Sequence, residues 1–196
     1  MVETALELIE RLKAHDQTAV ADLSASYGSK IYQLAFRYLK NREDAEEVAQ
    51  DVLLKVYRKI DAFRGDAALS SWIYRITFNS AMSRLREYKQ DLPNVREQTS
   101  DDVSPLPLKR EVVDWSPLAD EEVFRIEMRK TLVSALEDLP LLYRAAVILR
   151  DVEGLSTEEA SAVLGVKRQT LKSRLHRGRL MLREQLSNFA GGLQLH

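Results

Sequence analysis

The sequence predicts an all-α protein: two small helical domains joined by a flexible linker, the C-terminal one a helix-turn-helix. Three observations carry this reading. Apolar residues recur at helical spacing over residues 1–88 and again from 117 to about Phe189. Leu, Ala, Glu, Arg and Lys dominate, whereas Gly and Pro number only 7 and 5. Pro93, Pro105 and Pro107 cluster between the periodic stretches, beside the polar run Gln98-Thr99-Ser100-Asp101-Asp102 and without a sustained apolar period. A structureless loop of that length is unusual inside one compact domain, which favours two domains over a single bundle. The expected boundaries are a first domain at 1–88, a linker at 89–116, a second domain at 117–190 and a tail at 191–196, with Ala190-Gly191-Gly192 frayed. Ser116-Pro117 resembles a cap followed by a first-turn proline.

Composition narrows the function classes. The chain has 196 residues, 45% hydrophobic and 30% charged, with a net charge of −1. The absence of cysteine excludes disulfides and thiolate metal sites. No apolar run approaches the ~20 residues of a membrane span, and Met1 to Arg11 forms an acidic helical pattern rather than a signal peptide. The expectation is a soluble, cytoplasmic protein without membrane insertion. No phosphate-cradling Gly loop, nucleophile–base pattern or metal cluster stands out, so neither an enzyme nor a cofactor is expected. The near-neutral net charge conceals local asymmetry, and local charge is what a partner meets.

The asymmetry lies at the C-terminal end. Ser156-Thr157-Glu158-Glu159 forms a capping-box pattern. A short helix follows through Ala160, Val163 and Leu164, then Gly165 sits where a left-handed turn belongs, and a second helix begins near Lys167. Leu171, Leu175, Gly178 and Leu182 form its inward stripe, with Gly178 allowing close helix approach. Gln169, Ser173, His176 and Arg177, with Lys172 beside them, form the opposite face; Lys167, Thr170, Arg174, Arg179 and Arg183 flank it. From Val166 to Arg183 there are seven Lys or Arg and no acid. Such a helix repels itself unless a polyanion compensates it, and the pattern suits a recognition helix, with polar groups for base edges and cations for phosphates. The alternative is a merely basic surface helix. Arg168, Gln169, Thr170, Lys172, Ser173, Arg174, His176 and Arg177 are the candidate contacts. His176 has no His or Cys placed to share a metal, so it is read as a base or phosphate contact or a solvated residue.

Two N-terminal helices carry further signals. Asn41-Arg42-Glu43-Asp44 pairs a capping residue with first-turn acids. Ala45, Val48, Ala49, Val52, Val56 and Ile60 form the buried stripe, widened by Leu53 and Tyr57. Leu54 departs from the pattern because it falls among Glu47, Gln50, Asp51 and Arg58. It is either an ordinary exposed Leu or the apolar anchor of a protein-binding face oriented by the charges. The connection Asp61-Ala62-Phe63-Arg64-Gly65-Asp66 leads into a helix from about Leu69 to Tyr88. There Ile73, Tyr74, Phe78, Ala81 and Leu85 take one side; Trp72, Arg75, Ile76, Asn79, Ser83 and Arg86 take the other. Rings for stacking, Arg for phosphate and Asn for a base edge suit single-stranded nucleic acid, though Trp72 fits a core role equally.

In these stretches the chain resembles the extracytoplasmic-function (ECF) sigma factors. Phe63 to Ala81, FRGDAALSSWIYRITFNSA, resembles their promoter-melting segment. Asp44 to Ile60, DAEEVAQDVLLKVYRKI, resembles their polymerase-binding helix. Leu136 to Glu184 is similar to their −35-reading domain. The resemblance implies an alternative sigma factor. Glu47, Gln50, Asp51, Leu54 and Arg58 would face the clamp helices of the largest polymerase subunit. Phe63, Arg64, Trp72, Arg75, Asn79, Ser83 and Arg86 would capture the melted −10 strand, and Lys172, Ser173, His176 and Arg177 would read the −35 duplex. Core RNA polymerase, promoter DNA and an anti-sigma factor are the implied partners. Two other readings compete: a helix-turn-helix regulator acting without polymerase, and a sigma-like decoy that binds an anti-sigma factor but no promoter.

Overall fold

The computed structural model describes residues 5–90 and 120–193, and these residues contain helices and turns but no strand. In chain order they are α1 (Ala5–Lys13), α2 (Thr18–Leu39), α3 (Arg42–Lys59), a 3₁₀ turn (Ile60–Ala62), α4 (Leu69–Gln90), α5 (Asp120–Asp138), α6 (Leu141–Val147), a π turn (Ile148–Val152), α7 (Thr157–Leu164) and α8 (Arg168–Leu193). The expected Ser116-Pro117 helix start and most of the expected linker lie outside the described residues.

Contacts divide the chain into two units. The first holds α1–α4 and α7. Its core comprises Leu8, Leu12, Leu23, Ile31, Leu34, Tyr38, Val52, Val56, Ile60 and Ile73, all essentially inaccessible, with Phe78 edge-on to Tyr38 at 5.5 Å between ring centroids. Local chemistry sets the helix ends. Asp16 gathers the start of α2, accepting from the Thr18 amide at 2.9 Å, the Thr18 hydroxyl at 2.7 Å and Arg11 Nε at 3.0 Å. α2 stops at Lys40, held left-handed with φ 56°. The Asn41 side chain caps α3 by accepting from the Asp44 amide at 3.0 Å. The stripe expected on α3 is the buried one: Ala45, Val48, Ala49, Val52, Val56 and Ile60 all lie in the core.

α7 packs on α4, burying Ala160, Ser161 and Val163. Its capping box is complete: Glu159 N donates to Ser156 Oγ at 3.1 Å, and Ser156 N donates to Glu159 Oε2 at 2.9 Å. Gly165 follows with φ 63°. Its amide reaches Ala162 O while the Val166 amide reaches Ser161 O at 3.0 Å, a pairing that ends a helix sharply. The stretch 117–190, read from sequence as one domain, thus supplies α7 to the first unit and the remaining helices to the second.

The second unit holds α5, α6, the π turn and α8. Ala145, Ala146, Ile148, Leu149 and Leu171 form its innermost layer. α6 and α8 pack where Gly178 removes a side chain: a Cβ there would lie 2.9 Å from Val147 Cγ2 and 3.4 Å from Tyr143 Cβ. α8 continues through Ala190-Gly191-Gly192 to Leu193, past the point where the sequence reads as fraying.

Candidate nucleic-acid interface and partner face

On α3 the buried stripe turns Glu47, Gln50, Leu54 and Arg58 outward, with Asp51 partly exposed. Leu54 is 51% exposed, as the polar stripe around it requires. The face is braced from below. Lys55 pairs with Asp51 at 2.5 Å and donates to Ser80 Oγ of α4 at 3.0 Å, so one cation orients an outward acid and ties two helices together.

The expected strand-capturing residues do not all behave alike. Arg64, Arg75, Asn79 and Arg86 are exposed, while Trp72 and Ser83 are partly so. Phe63 is 6% exposed, and its ring lies 5.4 Å from that of Trp72 at a 54° tilt. Its ring is thus largely covered and packs beside the indole. Trp72 itself is neither fully buried nor fully exposed. Arg86 donates to Ser83 Oγ at 3.0 Å, which fixes its course along the helix. A hollow of about 320 Å³ lies beside this set, lined by Phe63, Arg64, Gly65, Trp72 and Arg75 and walled by Glu159, Ala162 and Val163 of α7. Asn79 is not among its lining residues.

Three polar groups escaped the sequence reading. Asp44, read from sequence as a first-turn acid, is 4% exposed. Its carboxylate accepts from Arg84 Nε at 2.9 Å and lies 2.7 Å from the Tyr88 hydroxyl. The Arg84–Asp44 bond is the first cause of the raised Arg84 pKa, and the separate Tyr88–Asp44 bond is the first cause of the raised Tyr88 pKa. Glu159, besides capping α7, accepts from Ser71 Oγ at 2.9 Å. Its pKa is lowered, first by the Ser156 amide, then by the Ser156 and Ser71 hydroxyls. Asp151 of the π turn receives Arg179 in a two-point grip, 2.6 Å to Nη2 and 2.9 Å to Nε. No sequence signal marks the Arg84 or Ser71 pairings, because the partners sit on other elements.

On α8 the expected stripe is buried: Leu171, Leu175, Gly178 and Leu182 face inward. Arg168, Gln169, Thr170, Lys172, Ser173, His176 and Arg177 are exposed, and Arg174 is partly so. Arg177 Nη1 donates to the Tyr143 hydroxyl at 3.3 Å. Within the seven-cation stretch, Asp151 compensates Arg179. Among the described residues no group of His, Cys, Asp and Glu is placed to hold a metal, and no helix is long and apolar enough to cross a membrane.

Comparison with known proteins places α7 with α8 in one family segment, although contacts group α7 with the first unit. Residues 23–90 match Sigma-70 region 2, and residues 129–182 match Sigma-70 region 4. The chain is 34% identical to the ECF RNA polymerase sigma factor SigW of Bacillus subtilis (strain 168), over 91% of this chain and 94% of the relative. It is 32% identical to the ECF RNA polymerase sigma-E factor of Escherichia coli (strain K12), over 88% of each. Among solved structures, the sigma factor RpoE in complex with the anti-sigma factor NepR from Bartonella quintana superposes with a TM-score of 0.64 at 26% identity, covering 85% of this chain and 96% of that one.

Proposed function

The chain belongs to the ECF RNA polymerase sigma factors, and from that membership we propose how its surfaces divide the work of a promoter-specific sigma factor. The family acts in transcription initiation and is not a family of enzymes. The outward face of α3, with Glu47, Gln50, Asp51, Leu54 and Arg58, docks on core polymerase at the clamp helices of its largest subunit. Leu54 supplies the apolar anchor, and the charges set orientation. The exposed face of α8, from Arg168 to Arg177, reads the −35 duplex, its cations replacing condensed counterions. Trp72, Arg75, Asn79, Ser83 and Arg86 then hold the opened −10 strand, with Arg64 at the rim. Unstacking a base costs a few kcal/mol. Stacking on the partly exposed Trp72 and an amide pairing from Asn79 offset that cost.

The domain limits drawn from sequence, 1–88 and 117–190 about a linker, correspond in this reading to strand capture and duplex reading. Promoter DNA and core polymerase are the partners, and the cytoplasm, where polymerase works, is the compartment. An anti-sigma factor is a further partner, supported by the similar RpoE, which was solved with one.

The observation that carries this reading over a duplex-only regulator is the outward set Arg75, Asn79 and Arg86 beside a half-open Trp72. A regulator that binds only duplex has no use for such a set. The test is run-off transcription with core polymerase and a random promoter library. Enrichment of templates sharing two spaced elements is the expected outcome. DNA binding without any polymerase-dependent transcript would instead favour the regulator, and polymerase binding without promoter selection would favour the decoy.

A further inference from the structure

Arg84 occupies a position that strand capture alone does not explain. It lies on α4, away from the exposed side that carries Arg75 and Asn79, and reaches three carboxylates at once. Nε binds the buried Asp44 at 2.9 Å, Nη2 binds Glu47 at 2.6 Å, and Nη1 lies 3.5 Å from Glu87. Its guanidinium also lies 5.6 Å from the Tyr88 ring centroid, and the Tyr88 hydroxyl closes on Asp44. The Asp44 side chain is 5% exposed, whereas that of Glu47 is 64% exposed. One guanidinium therefore has a foot in the core and a hand on the outward face of α3. A rigid planar fork can fix two carboxylates in a set geometry, which a lysine cannot.

We propose that Arg84 is a positioning residue for polymerase docking: anchored on Asp44, it holds the Glu47 carboxylate in its docking orientation and locks α4 to α3 in one register. The proposal rests on the reading of α3 as the docking face. Preordering a long side chain removes part of the ordering cost at an interface. The Asp44 anchor makes that order part of the fold. Binding of polymerase to α3 and placement of the strand-holding helix α4 then share a single fixed joint.

The test is titration of the labelled full-length chain with core RNA polymerase, alongside thermal unfolding. Arg84→Met should weaken polymerase binding roughly three- to tenfold, and Glu47→Gln should weaken it similarly. The Arg84→Met/Glu47→Gln double variant should bind no worse than either single one, because both break one interaction. Arg84→Met also leaves Asp44 short of its main partner, so it lowers the unfolding temperature. Asp44→Asn/Arg84→Met removes that buried charge and should recover much of the unfolding temperature while keeping the binding loss. Multiplicative losses in the Arg84/Glu47 double variant, or wild-type binding by Asp44→Asn/Arg84→Met, would overturn the proposal. A silent Glu47→Gln beside a damaging Leu54→Asp overturns this inference alone, whereas silence in both removes the α3 docking face itself.

Discussion

Helices α3 and α8 both turn a polar face outward, but they treat charge in opposite ways. On α3 three charges are answered close at hand: Arg42 by Glu46 at 3.1 Å, Asp51 by Lys55 at 2.5 Å, and Glu47 by Arg84 at 2.6 Å. On α8, Arg179 is answered by Asp151. Among the described residues Lys167, Lys172, Arg174 and Arg183 make no ion pair. Exposed pairs contribute little to stability, about 0–1 kcal/mol each, so the difference does not concern folding. A mixed, internally ordered face around an exposed Leu suits a protein partner. A one-signed face suits a polyanion, whose phosphates supply the missing charge.

The contrast breaks most visibly in the layer beneath the two faces. Leu171 is fully buried under α8 and Leu54 is 51% exposed on α3. Leu171→Ala should cost about 2–5 kcal/mol in urea unfolding. Gly178→Leu should cost about 3 kcal/mol, because a side chain there meets Val147. Leu54→Asp should change stability by about 0.5 kcal/mol or less yet weaken polymerase binding. Unfolding by Leu54→Asp would show that the phase assigned to α3 is wrong.

A smaller effect separates two cations of the same helix. Lys172→Gln should reduce the slope of log affinity against log salt for promoter duplex by about 0.9, one phosphate contact. Arg179→Gln should change that slope by less than half as much, since Asp151 already holds Arg179. Equal changes would mean that Arg179 leaves Asp151 when DNA binds.

What the sequence disclosed, and what it hid, follows from distance along the chain. The α3 and α8 stripes, the Asn41 cap, the Ser156–Glu159 box, the left-handed Gly165 and the close approach at Gly178 were all readable. Each is a periodic or single-turn signal whose cause lies within a few residues. The burial and pairing of Asp44 were hidden because it carries the same local signature as any first-turn acid, while its partner Arg84 is 40 residues away. Ser71 and Glu159 are 88 residues apart. The burial of Phe63 was hidden because it sits in a polar connection, and its ring packing beside Trp72 is tertiary. Ala190-Gly191-Gly192 read as a fraying tail, and each Gly costs about 1 kcal/mol in a helix, yet α8 runs through both glycines.

The smallest expected effect is acid-dependent. The Thr18 hydroxyl and amide and the Arg11 guanidinium lower the Asp16 pKa from 3.8 to about 2. A lowered carboxylate contributes stability that is full above its ordinary pKa and fades as pH falls through the folded value. Asp16→Asn should therefore flatten the stability–pH curve between pH 3.8 and about 2. Glu159, also lowered, should add to acid sensitivity in the same direction, below its ordinary value. A wild-type slope in Asp16→Asn would mean that the α1–α2 junction does not sense pH.

The central claim is that one chain brings polymerase to a promoter and holds the opened strand on α4. Permanganate reactivity of −10 thymines, measured on a fully duplex promoter with core polymerase and Asn79→Ala, tests it most directly. Asn79 is exposed, so its loss should spare the fold, polymerase docking and −35 binding. Thymine reactivity should nonetheless appear more slowly than with the wild-type chain. Melting at the wild-type rate would contradict the assignment of this face to strand capture.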